Sequence, residues 1–258
     1  MSILNYLFAS LAAIVAGVFN ALAGGGTLIT FPTLLSIGLS PVVANVTNTI
    51  ALCPGFLGGT LAQTADLKNQ KRRLWLAIPA AMLGGLAGGY LLLRSSEKLF
   101  SNLVPFLILM AAGLLAIQNP LRNWLSRRQA QAPARHIPEA WICLPIFLGA
   151  IYGGYFGAGL SIIMLAVLGL ILNDNLTRLN ALKQSIGFSA NIAAALLFAF
   201  SGKINWSVAM VMMVGALLGG LIGGRLASRV SPNVLRWIVV TIGFIVGMVY
   251  LVKTYFIA

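Results

Sequence analysis

Charged residues are scarce in this chain, and acidic residues are almost missing. Charged residues make up 8% of the sequence, whereas a soluble domain has about 25%. Hydrophobic residues make up 59%, which is more apolar surface than a soluble fold of this length could bury. The composition therefore excludes a soluble domain and predicts an all-α integral membrane protein whose solvent is the lipid bilayer.

Residues that usually carry metal or acid–base chemistry are also few. The chain has one histidine, two cysteines and four acids, and none of the acids lies within an apolar stretch. These numbers exclude a metal-ligand cluster, a disulfide framework, a carboxylate proton relay and a hydrolase with an acid dyad. We therefore expect neither an enzyme nor a cofactor.

The positive charge is distributed in the way that is typical of membrane loops. The net charge is +13, and the cations lie in short runs between apolar stretches, so no nucleic-acid partner is expected. Residues 1–23 end like a signal-peptidase site, but no Lys or Arg precedes their apolar run. We interpret this segment as a retained helix of a multi-pass inner (plasma) membrane protein.

Ten apolar segments divide the sequence. Eight approach or exceed the ~20 residues of a spanning helix, whereas 27–39 and 160–172 are shorter and either cross or re-enter the membrane. The sequence thus predicts eight to ten transmembrane helices. The segments are 3–23, 27–39, 41–64, 74–93, 99–118, 140–157, 160–172, 176–201, 206–227 and 233–254.

The sequences before and after one polar stretch, residues 119–138, resemble each other. Matching motifs recur at offsets of 135, 133 and 136 residues, which predicts two homologous halves. We expect a first transmembrane repeat at 1–118, a cytoplasmic linker at 119–138 and a second repeat at 139–258. The matches are 84–89 with 219–224, 24–26 with 157–159, and 49–50 with 185–186.

Loop charge favours an inverted repeat. If all ten segments cross, the lysines and arginines divide 13 to 4 between the two sides. If the two short segments re-enter instead, the halves are parallel and the division becomes 10 to 7. The positive-inside rule prefers the first arrangement, with the linker in the cytoplasm.

Glycine-rich breaks precede both short segments. Gly24, Gly25 and Gly26 stand before Thr27, and Gly157 and Gly159 stand before Ser161. Paired broken helices would direct positively polarised N-terminal ends into the membrane, which predicts an anion site. The alternative is a tight turn between closely packed helices. The runs at 84–89 and 219–224 have Gly-x-x-x-Gly spacing and predict helix packing.

Polar residues form a second candidate set on the helices that follow. Lys183 and Gln184 share one helical face with Asn180 and Asn191, and the repeat matches Gln184 to Asn48. Such groups line a pathway or form hydrogen bonds between helices. Lys183 either faces the site or extends its amine to the interface near Asp174.

Local motifs at residues 17–26, 31–35, 44–48, 153–159 and 201–206 resemble those of the TauE/SafE family of sulfite and organosulfonate exporters, and the similarity covers nearly the whole chain. The resemblance implies duplicated halves and transport of a small anion, since members are associated with sulfite, sulfoacetate, thiosulfate-related and other small anions.

The sequence therefore predicts a secondary transporter of a small anion such as sulfite, an organosulfonate or a related sulfur oxyanion. A permease for another small solute and a non-transporting membrane subunit remain alternatives. Substrate identity, direction, coupling ion and oligomeric state are open. The predicted substrate-binding residues are Asn20, Gly24, Gly25, Gly26, Thr27, Asn48, Gly157, Gly159, Ser161, Lys183 and Gln184.

Overall fold

Ten α-helices make up nearly all of the chain that the structure describes. The structure is a computed structural model, and it describes residues 2–22, 25–131, 138–226 and 232–256. Two short 3₁₀ turns, Thr64–Leu67 and Glu139–Ile142, accompany the helices. The helices are α1 Ile3–Leu22, α2 Thr27–Ser36, α3 Pro41–Ala62, α4 Lys71–Arg94, α5 Glu97–Gln131, α6 Cys143–Tyr155, α7 Leu160–Ile171, α8 Leu176–Ala199, α9 Trp206–Leu226 and α10 Pro232–Phe256.

The predicted apolar segments correspond to these ten helices, which confirms the all-α fold. Among the described residues, five helices are long and apolar enough to cross a membrane by length and composition: α1, α4, α5, α8 and α10. The helices α2 and α7 are short and apolar, as predicted. The total of eight to ten crossings remains a prediction.

Helix α5 is much longer than its apolar segment. It continues to Gln131 and so includes residues 119–131 of the predicted linker. Leucine, arginine and glutamine, which are frequent there, favour helices in water. The polar composition therefore indicated the end of the apolar segment and not the end of the helix.

Local signals explain where several helices begin. Pro41 takes the first position of α3, where its missing N–H costs no hydrogen bond. The Asn175 side chain caps α8 by accepting a 2.8 Å hydrogen bond from the Arg178 amide. The left-handed Gly159 precedes α7.

Helices of the first half pack mainly on helices of the second half. Helix α1 packs on α9 and α6 packs on α4, which are matching pairs if α1–α5 and α6–α10 are the two repeats. In the same way, α3 packs on α9 and α8 packs on α4, while α5 packs on α10. Two halves related by an approximate two-fold axis have this pattern of contacts.

Two matching helix pairs run in opposite directions. Helix α3 is antiparallel to α8, because Thr60 and Gln63 near its end contact Gln184 and Asn180 near the start of α8. Helix α5 is antiparallel to α10. Asn119, in the second half of α5, bonds to Asn233 at the start of α10, whereas Asn102, near the start of α5, accepts a hydrogen bond from Tyr255 near the end of α10. These are the directions that an inverted repeat requires.

The glycine runs pack helices together, as predicted. A Cβ at Gly84 or Gly88 of α4 would overlap backbone atoms of α6, at Phe147 and Ile151. A Cβ at Gly219 of α9 would overlap the Ile14 carbonyl of α1. The absence of side chains at these positions lets the helix backbones approach closely.

Candidate functional site

The first glycine break is a hydrogen-bonded turn between α1 and α2. Gly25 has φ +90°, a conformation that favours glycine. The Gly26 amide donates a 2.8 Å hydrogen bond to Asn20 Oδ1. The Leu28 amide donates to the Gly25 carbonyl at 2.9 Å. Asn20 therefore stabilises the turn, and its contact with substrate remains a prediction; Gly24 lies outside the described residues.

The second break, between α6 and α7, also depends on left-handed glycines. Gly157 and Gly159 have φ of +83° and +80°. The Tyr152 hydroxyl donates a 2.5 Å hydrogen bond to the Ala158 carbonyl, and the Ile162 amide donates to the Gly159 carbonyl at 3.0 Å. Sequence reasoning found the glycines of this break but not the tyrosine that holds it.

Both breaks lie against the same part of α5. A Cβ at Gly25 would be 2.9 Å from Leu115 Cδ2, and a Cβ at Gly159 would be 3.2 Å from Leu114 Cδ1. These two leucines are neighbours near the middle of α5. The N-terminal ends of α2 and α7, each with its positive dipole end, therefore flank one segment of α5.

Two predicted hydroxyl residues stand at these N-terminal ends. Thr27 is the first residue of α2, and Ser161 is the second residue of α7. Both are half-buried, and neither hydroxyl is hydrogen-bonded to another described residue. Their positions agree with the predicted site, while their contact with substrate remains a prediction.

Lys183 is a buried cation in α8. Its exposure is 8%, and within the described chain its ammonium has no hydrogen bond or salt bridge. Arg122 of α5 carries the same charge and repels it. Asp174, near which the amine of Lys183 would lie if it extended to the interface, pairs instead with Arg73 and with Arg178 at 3.6 Å.

Three of the four acids make side-chain contacts near helix ends. Glu97 accepts from Ser40 Oγ at 2.9 Å and from the Val42 amide at 3.2 Å. Glu139 forms a 2.8 Å salt bridge with Arg73, which also binds Asp174. None of these contacts neutralises Lys183.

Asn48 is separated from the other predicted polar residues. Gln184 is half-buried, and its backbone carbonyl accepts a hydrogen bond from Thr60 Oγ1 at 3.5 Å. Thr60 follows Asn48 by twelve residues in α3, a rise of about 18 Å. Matching positions on antiparallel helices lie far apart unless they are near the crossing point, so Asn48 does not join Lys183 and Gln184.

Two further asparagines flank the second break. Asn191 Oδ1 of α8 is 4.0 Å from where a Cβ at Gly157 would lie. Asn45 of α3 donates from Nδ2 to the Tyr155 carbonyl at 2.8 Å. Both are polar residues inside apolar segments, and that signal could have added them to the predicted site.

Comparison with known proteins agrees with the architecture. The family profile described as "Sulfite exporter TauE/SafE" matches residues 9–250. A "Probable membrane transporter protein" of Haemophilus influenzae is 32% identical, over 92% of this chain and 91% of its own length. The Escherichia coli K12 "Probable membrane transporter protein YfcA" is 28% identical, over 80% of this chain and 74% of its own length.

A more distant relative has a similar name. The "Probable membrane transporter protein ORF9" of a Sinorhizobium species is 25% identical, over 84% of this chain and 80% of its own length. No solved structure matches the chain. The profile match covers most of the sequence, and the chain therefore belongs to the sulfite exporter TauE/SafE family of membrane transporters.

Proposed function

We propose that the protein is a secondary transporter of a small anion, such as sulfite, an organosulfonate or a related sulfur oxyanion. The observation that carries this proposal is that two glycine breaks lie on one segment of α5, at Leu114 and Leu115. Two positive helix ends beside one segment favour an anion more than a neutral or cationic solute.

Charge within the helices supports the same proposal. Lys183 is buried without an acidic partner in the described chain, so an anionic substrate would supply the missing counter-charge. The family description names sulfite export, whereas the relatives' names give no substrate. In the proposed site, substrate contacts Gly25, Gly26, Thr27, Gly157, Gly159 and Ser161, with Asn20 at the first turn and Lys183 and Gln184 on the approach from the linker side.

The proposed mechanism is alternating access between two inverted halves, at 1–118 and 139–258. In an inverted repeat, motion of one half against the other exposes a site at their junction first to one side and then to the opposite side. The breaks are suited to such a junction because each contacts α5, which itself packs on α10 of the other half. We place the protein in the inner membrane with the 119–138 linker in the cytoplasm.

Flux by the purified protein alone in liposomes tests the proposal. The panel is radiolabelled sulfite, sulfate, thiosulfate, taurine and sulfoacetate, with protein-free liposomes as the control. We expect saturable uptake of at least one of the anions, which the unlabelled anion inhibits. Uptake of the zwitterion taurine with no uptake of any of the anions would overturn the anion assignment, and no flux of any panel solute would favour a non-transporting subunit.

A further inference from the structure

Two buried side-chain oxygens in α3 have no donor. Asn45 and Asn48 are 1% and 2% exposed, and in the described chain the Oδ1 atom of each has no hydrogen-bond partner. An unpaired buried acceptor is costly, because it has lost its hydrogen bonds to water. A ligand that carries positive charge or donates hydrogen bonds would remove that cost.

The orientation of the Asn45 amide is fixed by its other end. Its Nδ2 donates a 2.8 Å hydrogen bond to the Tyr155 carbonyl, so the unpaired atom is the acceptor and not the donor. Asn48 follows three residues later in the same helix, at a Cβ–Cβ spacing of about 5–6 Å. The two side chains therefore leave α3 on the same face of the helix.

The end of α6 adds negative potential at the same place. Helix α6 ends at Tyr155, the residue whose carbonyl Asn45 contacts, and the last carbonyls of a helix form the negative end of its dipole. The nearby Phe156 and Gly157 amides both donate to the Tyr152 carbonyl, so neither amide is the missing donor for the asparagine oxygens.

We propose that Asn45 Oδ1, Asn48 Oδ1 and the carbonyl end of α6 form a site for an alkali-metal cation. Neutral oxygen ligands suit a hard monovalent ion, whereas Ca²⁺ and Mg²⁺ sites usually contain carboxylates. At the matching positions the second half has Ala181 and Gln184, so the site occurs once. The role of the bound cation as a coupling ion for anion transport rests on the proposed function, but the binding of the cation does not.

Direct binding of ²²Na⁺ to the detergent-purified protein tests the site without any anionic substrate. Scintillation proximity is measured at constant ionic strength, with choline replacing sodium. We expect saturable binding that Li⁺ or K⁺ reduces by competition. Absence of saturable binding would overturn the site, because water would then satisfy the two oxygens.

Substitutions at Asn48 locate the ion. Asn48→Ala removes one acceptor and should weaken ²²Na⁺ binding at least tenfold, while Asn48→Asp adds a negative charge and should strengthen it at least tenfold. Asn123→Ala, on an exposed part of α5, is the matched control and should bind like wild type. If Asn48→Ala is too unstable to purify, unchanged affinity in Asn48→Asp still overturns the proposal.

Flux then separates the two proposals. Sodium binding with no transport of any panel anion would leave the cation site in place and overturn the proposed function. Anion flux that is equal in sodium and in choline, together with no ²²Na⁺ binding, would do the reverse. Sodium-stimulated anion flux that Asn48→Ala abolishes would support both.

Discussion

The conformation of single glycines decides where α1 and α2 separate. Gly25 is left-handed, and a Cβ there would be 2.9 Å from Leu115 Cδ2. A valine would therefore strain the backbone, by roughly 1–2 kcal/mol, and press on α5 beside the proposed site. We expect Gly25→Val to lower anion flux at least tenfold, or about 1.4 kcal/mol, while protein still reaches the membrane.

Gly38 supplies a matched control for that substitution. It is also left-handed, with φ +95°, but a Cβ there would meet no described atom within 4 Å. Gly38→Val therefore has similar backbone strain away from the break. Proteoliposome flux, normalised to reconstituted protein, should fall in Gly25→Val and much less in Gly38→Val; equal losses would mean that strain alone explains the effect.

Lys183 is the residue at which the charge hypothesis can be tested most directly. If its ammonium binds the anion, loss of a charge-assisted hydrogen bond costs roughly 1.5–3 kcal/mol, about tenfold to a hundredfold in affinity. We predict that Lys183→Met raises the Kd of the transported anion at least tenfold and that Lys183→Arg has a smaller effect. Calorimetry in detergent measures both.

Lys253→Met controls for the loss of one positive charge from the whole protein. Lys253 is exposed near the end of α10, so its removal should leave affinity unchanged. Equal affinity of wild type and Lys183→Met would exclude Lys183 from the site and leave anion recognition to the helix ends at Thr27 and Ser161.

At the scale of helices, α4 is held by contacts that only glycine permits. A Cβ at Gly88 would overlap the Ile151 carbonyl of α6, and backbone cannot move aside as a side chain can. We expect Gly88→Val to destabilise the fold by about 1–3 kcal/mol and to reduce the yield of monodisperse protein.

Gly113 of α5 is the control for this packing prediction. It is exposed, and a Cβ there would meet no described atom within 4 Å. Fluorescence-detected size exclusion after heating compares the two variants with wild type. Gly113→Val should behave like wild type, and a Gly88→Val protein as heat-stable as wild type would contradict the close contact of α4 with α6.

The positions of the helices could be predicted because lipid imposes a strong pattern on sequence. Apolar runs separated by cations and glycine gave ten segments, and each contains or forms most of one helix. The same pattern could not give the end of α5, since its last residues are polar and helical. Hydropathy marks the apolar part of a helix and not its hydrogen-bonded length.

The candidate site could be predicted only as separate pieces. The breaks at Gly25, Gly157 and Gly159 could be predicted locally, because a left-handed backbone conformation favours glycine. The meeting of both breaks at α5 depends on tertiary packing, which no local pattern contains. For the same reason the repeat alone paired Asn48 with Gln184, although the structure places them far apart along antiparallel helices.

At the scale of the whole molecule, the division of loop charge and the directions of the helices together predict the topology. Asn119 of α5 bonds to Asn233 near the start of α10, and the Tyr255 hydroxyl near the end of α10 donates to the Asn102 carbonyl at 3.2 Å. The end of α5 and the end of α10 therefore lie at opposite ends of this helix pair. The 13-to-4 division of cations then predicts that the end of α5 is cytoplasmic.

Cysteine labelling tests this orientation. In a Cys53→Ala and Cys143→Ala background, Ser126→Cys places a thiol on an exposed part of α5, and Phe256→Cys places one at a residue that is 77% exposed. In intact spheroplasts, an impermeant maleimide should label Phe256→Cys and leave Ser126→Cys unlabelled until the membrane is opened with detergent. The reverse pattern would contradict the charge argument, because the cation-rich side would then be outside. Labelling of both sites would contradict the antiparallel spanning of α5 and α10, and with it the inverted repeat on which alternating access between the two halves depends.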